Sequence, residues 1–286
     1  MRTDSPLRYP GGKACMQPVV AALLKENNLL HCDYAEPYAG GCGLALSLLL
    51  GGYVSDIHIN DIDKSIWSFW NSVLDQTDEL AALISETPIN LAEWHKQKDI
   101  VDNPNNYSTL ELGFAAFFLN RTNRSGIIKN AGVIGGFSQK GQYKIDCRFN
   151  RDGLVRRIRR IGKYKSRIHL SNLDAIEFVK LPDFKGQTFF CIDPPYFNKG
   201  ASLYTSFYDP NDHAVVAETI LKLSQPWIVT YDDASEIRQL YKPRRKFHFD
   251  INYSVQTKRI GTELLITSKG LRIPANLRER EIKKAA

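Results

Sequence analysis

Thr188-Phe-Phe-Cys-Ile-Asp-Pro-Pro-Tyr196 ends an apolar run on a carboxylate, two residues that lack a backbone N–H, and an aromatic ring. Asp193 can accept hydrogen bonds, and the prolines hold the following carbonyls in fixed directions because their φ is locked. Cys32-Asp-Tyr-Ala-Glu-Pro-Tyr-Ala-Gly-Gly-Cys-Gly43 sets a second acid, Glu36, ahead of a glycine turn that carries Tyr38 and Gly40. A third acid, Asp61, follows Gly41 by twenty positions, the spacing that meets the ribose hydroxyls of an adenosine-containing ligand. Glu36 separates the ligands that share this pattern. A dinucleotide would bring its pyrophosphate up against that carboxylate, whereas S-adenosylmethionine has no phosphate and brings an ammonium and a sulfonium. The sequence therefore favours the methyl donor over NAD. Further upstream, Tyr9 and Lys13 flank two glycines in Tyr9-Pro-Gly-Gly-Lys13, so a ring and an ammonium border a backbone that a ligand can approach.

Strand ends must present these groups. Thr188–Ile192 reads as a buried strand of a parallel sheet with Asp193 at its carboxyl end, the edge at which open α/β sheets bind ligands. A strand, glycine turn and apolar helix (Leu44–Leu50) open a βα unit, and Tyr53–Asp61 reads as the second strand. Arg167–Asp174 is a further strand ending on an acid, Asp174. Trp227–Tyr231, Phe247–Ile251 and Glu263–Thr267 complete the set, the last two too close for an intervening helix and so expected to pair antiparallel. Helix is expected after Pro18 and from Asp63 to Glu86, and Ser108 with Glu111 spells a capping box for a buried helix through Phe114, Phe117 and Phe118. Arg278–Lys284 reads as a charged tail that frays.

Composition narrows the classes. The 286 residues exceed one average domain, which suggests an α/β core carrying a large insertion. No apolar run is long enough to span a membrane, and Met1–Leu7 has no signal-peptide core. Five scattered cysteines (Cys15, Cys32, Cys42, Cys147 and Cys191) fit reduced thiols in the cytoplasm and form no zinc pattern; no metal is expected. The net charge of +7 is concentrated. Residues 120–167 hold fourteen Lys or Arg against two acids, a local +12 that leaves the remainder at −5. A basic insertion on an acidic body suits a polyanion, because neutralised phosphates release counterions. Leu154, Ile158 and Ile161 form a helical stripe that turns Arg156, Arg157, Arg159 and Arg160 outward. In the loop Asn120–Asn130, the amides and guanidinium forks of Arg121, Asn123, Arg124 and Lys129 suit base or phosphate contact, with Lys140, Arg148, Arg156 and Arg160 as further cations for DNA.

The four motifs Tyr9-Pro-Gly-Gly-Lys13, Glu36-Pro-Tyr-Ala-Gly-Gly-Cys-Gly43, Ile59-Asn-Asp61 and Asp193-Pro-Pro-Tyr196 stand in the order found in Dam-like, alpha-class DNA adenine-N6 methyltransferases, and the sequence resembles that family over nearly its whole length. The resemblance implies an α/β, Rossmann-like S-adenosylmethionine-dependent methyltransferase sheet with an inserted, mainly helical target-recognition domain. Residues 1–63 and 166–286 would be catalytic, and 64–165 would recognise double-stranded DNA. It implies that Tyr9, Lys13, Asp61 and Asp193 bind S-adenosylmethionine; Glu36, Tyr38, Gly40 and Asp174 join them as expected cofactor residues. Asp193, Pro194, Pro195 and Tyr196 would act on the base. The amino group would donate to the Asp193 carboxylate and the Pro194 carbonyl, and Tyr196 would offer a stacking face to a flipped adenine. The expected setting is cytoplasmic, in restriction–modification or solitary methylation. Where GATC-specific members continue with Leu-Cys-Arg-Tyr-Asn, this sequence has Ile127-Ile-Lys-Asn-Ala131, so their recognition site does not carry over. Cytosine-N4 methylation, an RNA or protein-glutamine substrate, and a catalytically silent DNA-binding relative are the rival readings.

Overall fold

The computed structural model describes residues 4–9, 11–182, 184, 187–198, 208–253 and 259–282. Its sheet has seven strands in the order β3-β2-β1-β4-β5-β7-β6. β1 (Asp33–Glu36), β2 (Ile57–Asn60), β3 (Ile168–Ser171), β4 (Thr188–Ile192) and β5 (Trp227–Asp232) run parallel. β7 (Arg259–Thr267) is antiparallel to both β5 and β6 (Arg245–Tyr253), as the short spacing of the last two strands predicts. From β1 the chain winds outward through β2 to β3, then returns to place β4 on the other side of β1. The order therefore reverses between β1 and β4, and a crevice opens outside their carboxyl ends. Glu36 ends β1 and Asp193 follows β4.

Helices cover both faces, as a mostly parallel sheet requires. One apolar cluster joins α1 (Gln17–Glu26) and α2 (Gly43–Leu50) to the sheet through Val20, Leu48, Tyr34 and Phe189. The same cluster continues without a break through Phe69 of α3 (Lys64–Asp75), Ile84 of α4 (Thr77–Glu86), Trp94 of α5 (Leu91–Asp102), Phe117 of α6 (Thr109–Thr122) and Ile158 of α7 (Arg151–Gly162). The opposite face buries Phe178 of α8 (Ala175–Phe178), Val216 of α9 (Pro210–Leu221) and Ile237 of α10 (Ser235–Leu240). No described helix is long and apolar enough to cross a membrane.

Local sequence accounts for several boundaries. The capping box of α6 forms: Glu111 N donates to Ser108 Oγ and Ser108 N to Glu111 Oε2. Two expectations change. The single helical stretch over 63–86 is two helices, because Gln76 leaves helical geometry (φ −131°, ψ 44°) and Asp78 and Glu79 then favour a new amino-terminal turn. The charged tail is tied down as far as Ile282. His248 N donates to Arg280 O, Ile282 N to Lys246 O, and Arg245 grips Glu281 in a two-pronged ion pair at 2.7 Å. These bonds extend the sheet beside β6, where a bare edge would otherwise stand. Lys283 and Lys284 lie outside the described residues.

α3 and α6 cross closely. Phe69 and Phe117 stack with ring centroids 5.6 Å apart, and a Cβ on Gly113 would sit 2.5 Å from Ser68 O. Gly113→Ala gains about 1 kcal/mol of helix propensity yet forces the two backbones apart, a strain of about 1–3 kcal/mol. The substitution should therefore lower stability in urea titration; an equal or higher midpoint would show that the crossing is loose.

Candidate active site

Alternation along the strands decides which groups meet at the carboxyl edge. Tyr34 packs in the α1–α7 cluster and Ala35 in the opposite one, so Glu36 returns to the first side. The same count puts Asp193 on the side of Phe189 and Cys191, Thr230 on the side of Ile228, and Glu263 on the side of Leu265. Four polar groups from β1, β4, β5 and β7 thus share one face.

Lys13 enters among them from the short turn Lys13–Met16 that precedes α1. Its Nζ donates to Asp193 Oδ2 at 2.6 Å, Gly11 O at 3.0 Å and Tyr196 OH at 3.1 Å, and stands 3.6 Å from Glu263 Oε2. Thr230 Oγ1 donates to Asp193 Oδ1 at 2.6 Å, and the Tyr196 hydroxyl donates to Glu263 Oε1. Both oxygens of Asp193 are thereby oriented, and each keeps a second lone pair for a substrate. The Asp193 side chain is 22% exposed, against 5% for Lys13 and 1% for Glu263, so the cluster opens outward only at Asp193. Pro194 and Pro195 are buried behind it.

The glycine turn packs beside this cluster. Tyr9 lies against Gly40 and Gly41, where an added Cβ would stand 2.6 Å from Tyr9 atoms, and Gly40 takes φ +45°. Asp61 accepts from Gly40 N and Asp63 N, each at 2.9 Å, and so ties the turn to the start of α3. Burial raises the Asp61 carboxyl to about 7. Glu36 Oε1 accepts from Tyr34 OH at 2.9 Å and from Ala45 N at 3.1 Å, which caps α2. Burial, reinforced by Asp193, lifts Glu36 to about 8 against the opposing pull of Tyr34, Ala45 and Lys13. Tyr38 OH meets Tyr208 OH at 3.0 Å, and Asp174 caps α8 by accepting from Ile176 N at 2.8 Å. Asn60 fastens three strand ends, donating to Pro37 O and Leu173 O and accepting from Leu173 N.

Several side chains sit differently from expectation. Tyr196 is only 3% exposed, with its hydroxyl taken by Glu263 and Lys13, so it anchors the motif rather than presenting a stacking face. Asn123, expected to read bases, is buried; it accepts from Trp94 Nε1 at 2.7 Å and donates to Ile127 O and Ile128 O, which folds the loop. Lys129 is half-buried beside Asp63 at 3.6 Å. Thr230, Glu263 and Asn60 carry no role in the sequence reading, although a charge inside the apolar strand Glu263–Thr267 is a legible signal. Pro10 lies outside the described residues.

Arg124, Lys140, Arg148, Arg156 and Arg160 are exposed, and Arg160 pairs with Asp4 at 3.1 Å. Arg121 is half-buried. Its Nε donates to Arg148 O at 2.9 Å and its Nη1 to Pro6 O at 3.3 Å, while Arg157 Nη1 donates to Ser5 O at 3.3 Å. Arg8 joins this group with a buried Nη1 that has no hydrogen-bond partner. Burial and the mutual repulsion of Arg8, Arg148 and Arg157 bring Arg121 down to about 10. Among the described residues, no carboxylate pairs with Arg8, Arg121, Arg148 or Arg157.

A sheet of this order, with an acid and a glycine turn after β1 and Asp-Pro-Pro-Tyr after β4, defines a Rossmann-like methyltransferase. A family model for D12 class N6 adenine-specific DNA methyltransferases matches residues 9–258, and the chain belongs to that family. It is thus an enzyme of DNA methylation, and the family implies a cofactor of the S-adenosylmethionine type. Solved structures resemble it over most of its length. One is a putative RNA methyltransferase from Pyrococcus horikoshii (TM-score 0.42, 11% identity, 91% of this chain and 84% of that chain). Another is an rRNA methyltransferase from Streptomyces viridochromogenes (TM-score 0.37, 11% identity, 91% and 86%). No curated protein matches the sequence at a significant level.

Glu36 and Asp61 titrate above their ordinary values when folded, so the folded state holds protons that the unfolded chain has released. Stability must then fall as pH rises toward about 8. His58 and His213, both lowered by burial, act oppositely but only up to their ordinary value of 6.5. Between about pH 6.5 and 8.5 the melting temperature of the ligand-free protein should drop, and Glu36→Gln should flatten the slope. A wild-type profile that is flat or rising in that window would contradict the burial of these acids.

Proposed function

We propose that the enzyme transfers a methyl group from S-adenosylmethionine to the N6 amino group of an adenine flipped out of double-stranded DNA, and that Asp193 and Pro194 receive that amino group. The observation that carries the reading is Asp193 itself, oriented on both oxygens by Lys13 and Thr230 and partly exposed at the carboxyl edge where the strand order reverses between β1 and β4. The cofactor fits the groups present. Asp193 and Glu263 flank the Lys13 ammonium with Glu36 close by, so a cationic ligand would draw the proton off Glu36 and be favoured, whereas a pyrophosphate would meet carboxylates. Tyr9, Glu36, Tyr38, Gly40, Asp61 and Asp174 would hold it, with Lys13 acting through Asp193.

When bound, S-adenosylmethionine supplies an electrophilic methyl on a sulfonium. Adenine N6 is a poor nucleophile because its lone pair is delocalised into the ring. Donating its two hydrogens to the Asp193 carboxylate and the Pro194 carbonyl favours a more tetrahedral nitrogen and frees the lone pair for attack. The methylated nitrogen then loses one proton to the solvent that reaches Asp193. Positioning and fixed electrostatics supply the acceleration.

Residues 1–63 and 166–286 would form the catalytic part, and 64–165 the part that grips DNA. The Arg8–Arg121–Arg148–Arg157 group would neutralise backbone phosphate, which relieves the repulsion among these guanidiniums. Arg124, Lys140, Arg156 and Arg160 extend the same basic surface.

Nucleoside mass spectrometry on unmethylated DNA with isotopically labelled S-adenosylmethionine tests the reading. Label should appear in N6-methyldeoxyadenosine, and Asp193→Ala should reduce it by about a hundredfold or more while DNA affinity holds. Label in N4-methylcytosine would move the base assignment, and unlabelled DNA would overturn the reading. Replacing Arg156 and Arg160 by Gln should weaken binding to all sequences and shallow the log–log salt slope by about 2. A loss confined to one DNA sequence would instead make them base readers.

A further inference from the structure

Burying Glu263 to 1% exposure inside β7 is costly unless its charge is used, and two partners use it. Tyr196 donates its hydroxyl to Glu263 Oε1, and Lys13 stands 3.6 Å from Oε2. These partners hold the two ends of Asp193-Pro-Pro-Tyr196. Lys13 also bonds Asp193 at one end, and Tyr196 is the other. Between them lie two prolines whose φ is locked, so a fixed Tyr196 ring transmits its position to the Pro194 carbonyl with little slack. A phenylalanine at 196 would fill the same space without the hydroxyl, so the geometry gives that oxygen a task.

Charge points the same way. With Glu263 present, Lys13 is shared between two carboxylates. Without it, the ammonium would be drawn onto Asp193 alone, and an acceptor already engaged by a full cation accepts less well from a neutral amine. We propose that Glu263 is a positioning residue for methyl transfer, which sets the Asp193 carboxylate and the Pro194 carbonyl through Lys13 and Tyr196 without itself touching a substrate. This inference rests on the reading of Asp193 and Pro194 as the acceptors of the amino group.

The test is steady-state kinetics on the full chain for wild type, Glu263→Gln, Glu263→Ala, Tyr196→Phe and the Tyr196→Phe/Glu263→Ala pair, with melting temperatures measured alongside. Gln keeps an acceptor for the Tyr196 hydroxyl and loses only the charge, so kcat should fall about tenfold; Ala loses both, and kcat should fall about a hundredfold. KM for DNA and for S-adenosylmethionine should stay within about twofold of wild type. The loss in the double variant should be smaller than the product of the two single losses, since both changes cut the Tyr196–Glu263 bond, while each also removes one contact of Lys13.

Wild-type kcat in Glu263→Gln would overturn the proposal. So would losses of kcat that match the fraction of unfolded protein, or equal losses in KM and kcat, since these mark a residue needed only for folding or binding. A wild-type protein that labels no DNA would instead sink the proposed function, and this inference with it; active variants beside an active wild type sink the inference alone.

Discussion

Two ionised carboxylates cannot share a water-poor sheet edge unless a cation stands between them, and here Lys13 fills that place. Its ammonium lies among Asp193, Glu263 and Tyr196, groups brought from β4, β7 and the loop after β4. The strand order makes the meeting possible. β7 inserts antiparallel beside β5 and so brings Glu263 opposite Asp232, one strand away from Thr230 and two from Asp193. Asp193 can then stay oriented while only partly buried. Its neighbours carry the desolvation, and Asp193 keeps partial solvent access.

The amino-terminal segment joins this cluster to the basic surface. Asp4 pairs with Arg160, the Ser5 and Pro6 carbonyls accept from Arg157 and Arg121, and Asn120 brackets the Arg8 backbone with one bond to its N–H and one to its carbonyl. A few residues later the same segment lays Tyr9 on the glycine turn and delivers Lys13 to Asp193. The continuous apolar cluster from α1 through α7 supports both ends. Helices α3 to α7 are therefore packed into the same apolar cluster as α1, α2 and the sheet rather than tethered to it.

Much of this was legible in the sequence, for reasons that can be named. An apolar run ending on Asp193 announces a buried parallel strand and its ligand-facing edge, and Glu36, Gly40 and Asp61 carry their spacing in the open. The capping box at Ser108 and the outward arginines of α7 are local patterns, so they needed no tertiary knowledge. Partners contributed by distant strands were not legible. Glu263 is recognisable as an odd charge in an apolar strand, but its meeting with Lys13 depends on β7 lying beside β5, and strand order is not a local property. Tyr196 and Asn123 misled for a related reason: an aromatic or an amide in a polar loop reads as available until the buried group that claims it is known. The tail misled because the β6 edge it covers is supplied from elsewhere.

The shared face at the carboxyl edge has a consequence for how such a chain can change over generations. Because side chains alternate, Glu36, Asp193, Thr230 and Glu263 face the same way only while each strand keeps its count. A substitution at one of these positions alters one group. A one-residue insertion or deletion within β7 would turn Glu263 into the cluster formed by Leu264 and Ile266 and bring an apolar chain to Lys13 in its place. Loops other than the glycine turn and Asp193-Pro-Pro-Tyr196 can lengthen, but the strands are held to a fixed reading frame of two. Variation in this scaffold should accumulate as changed letters within the strands and as changed lengths only between them.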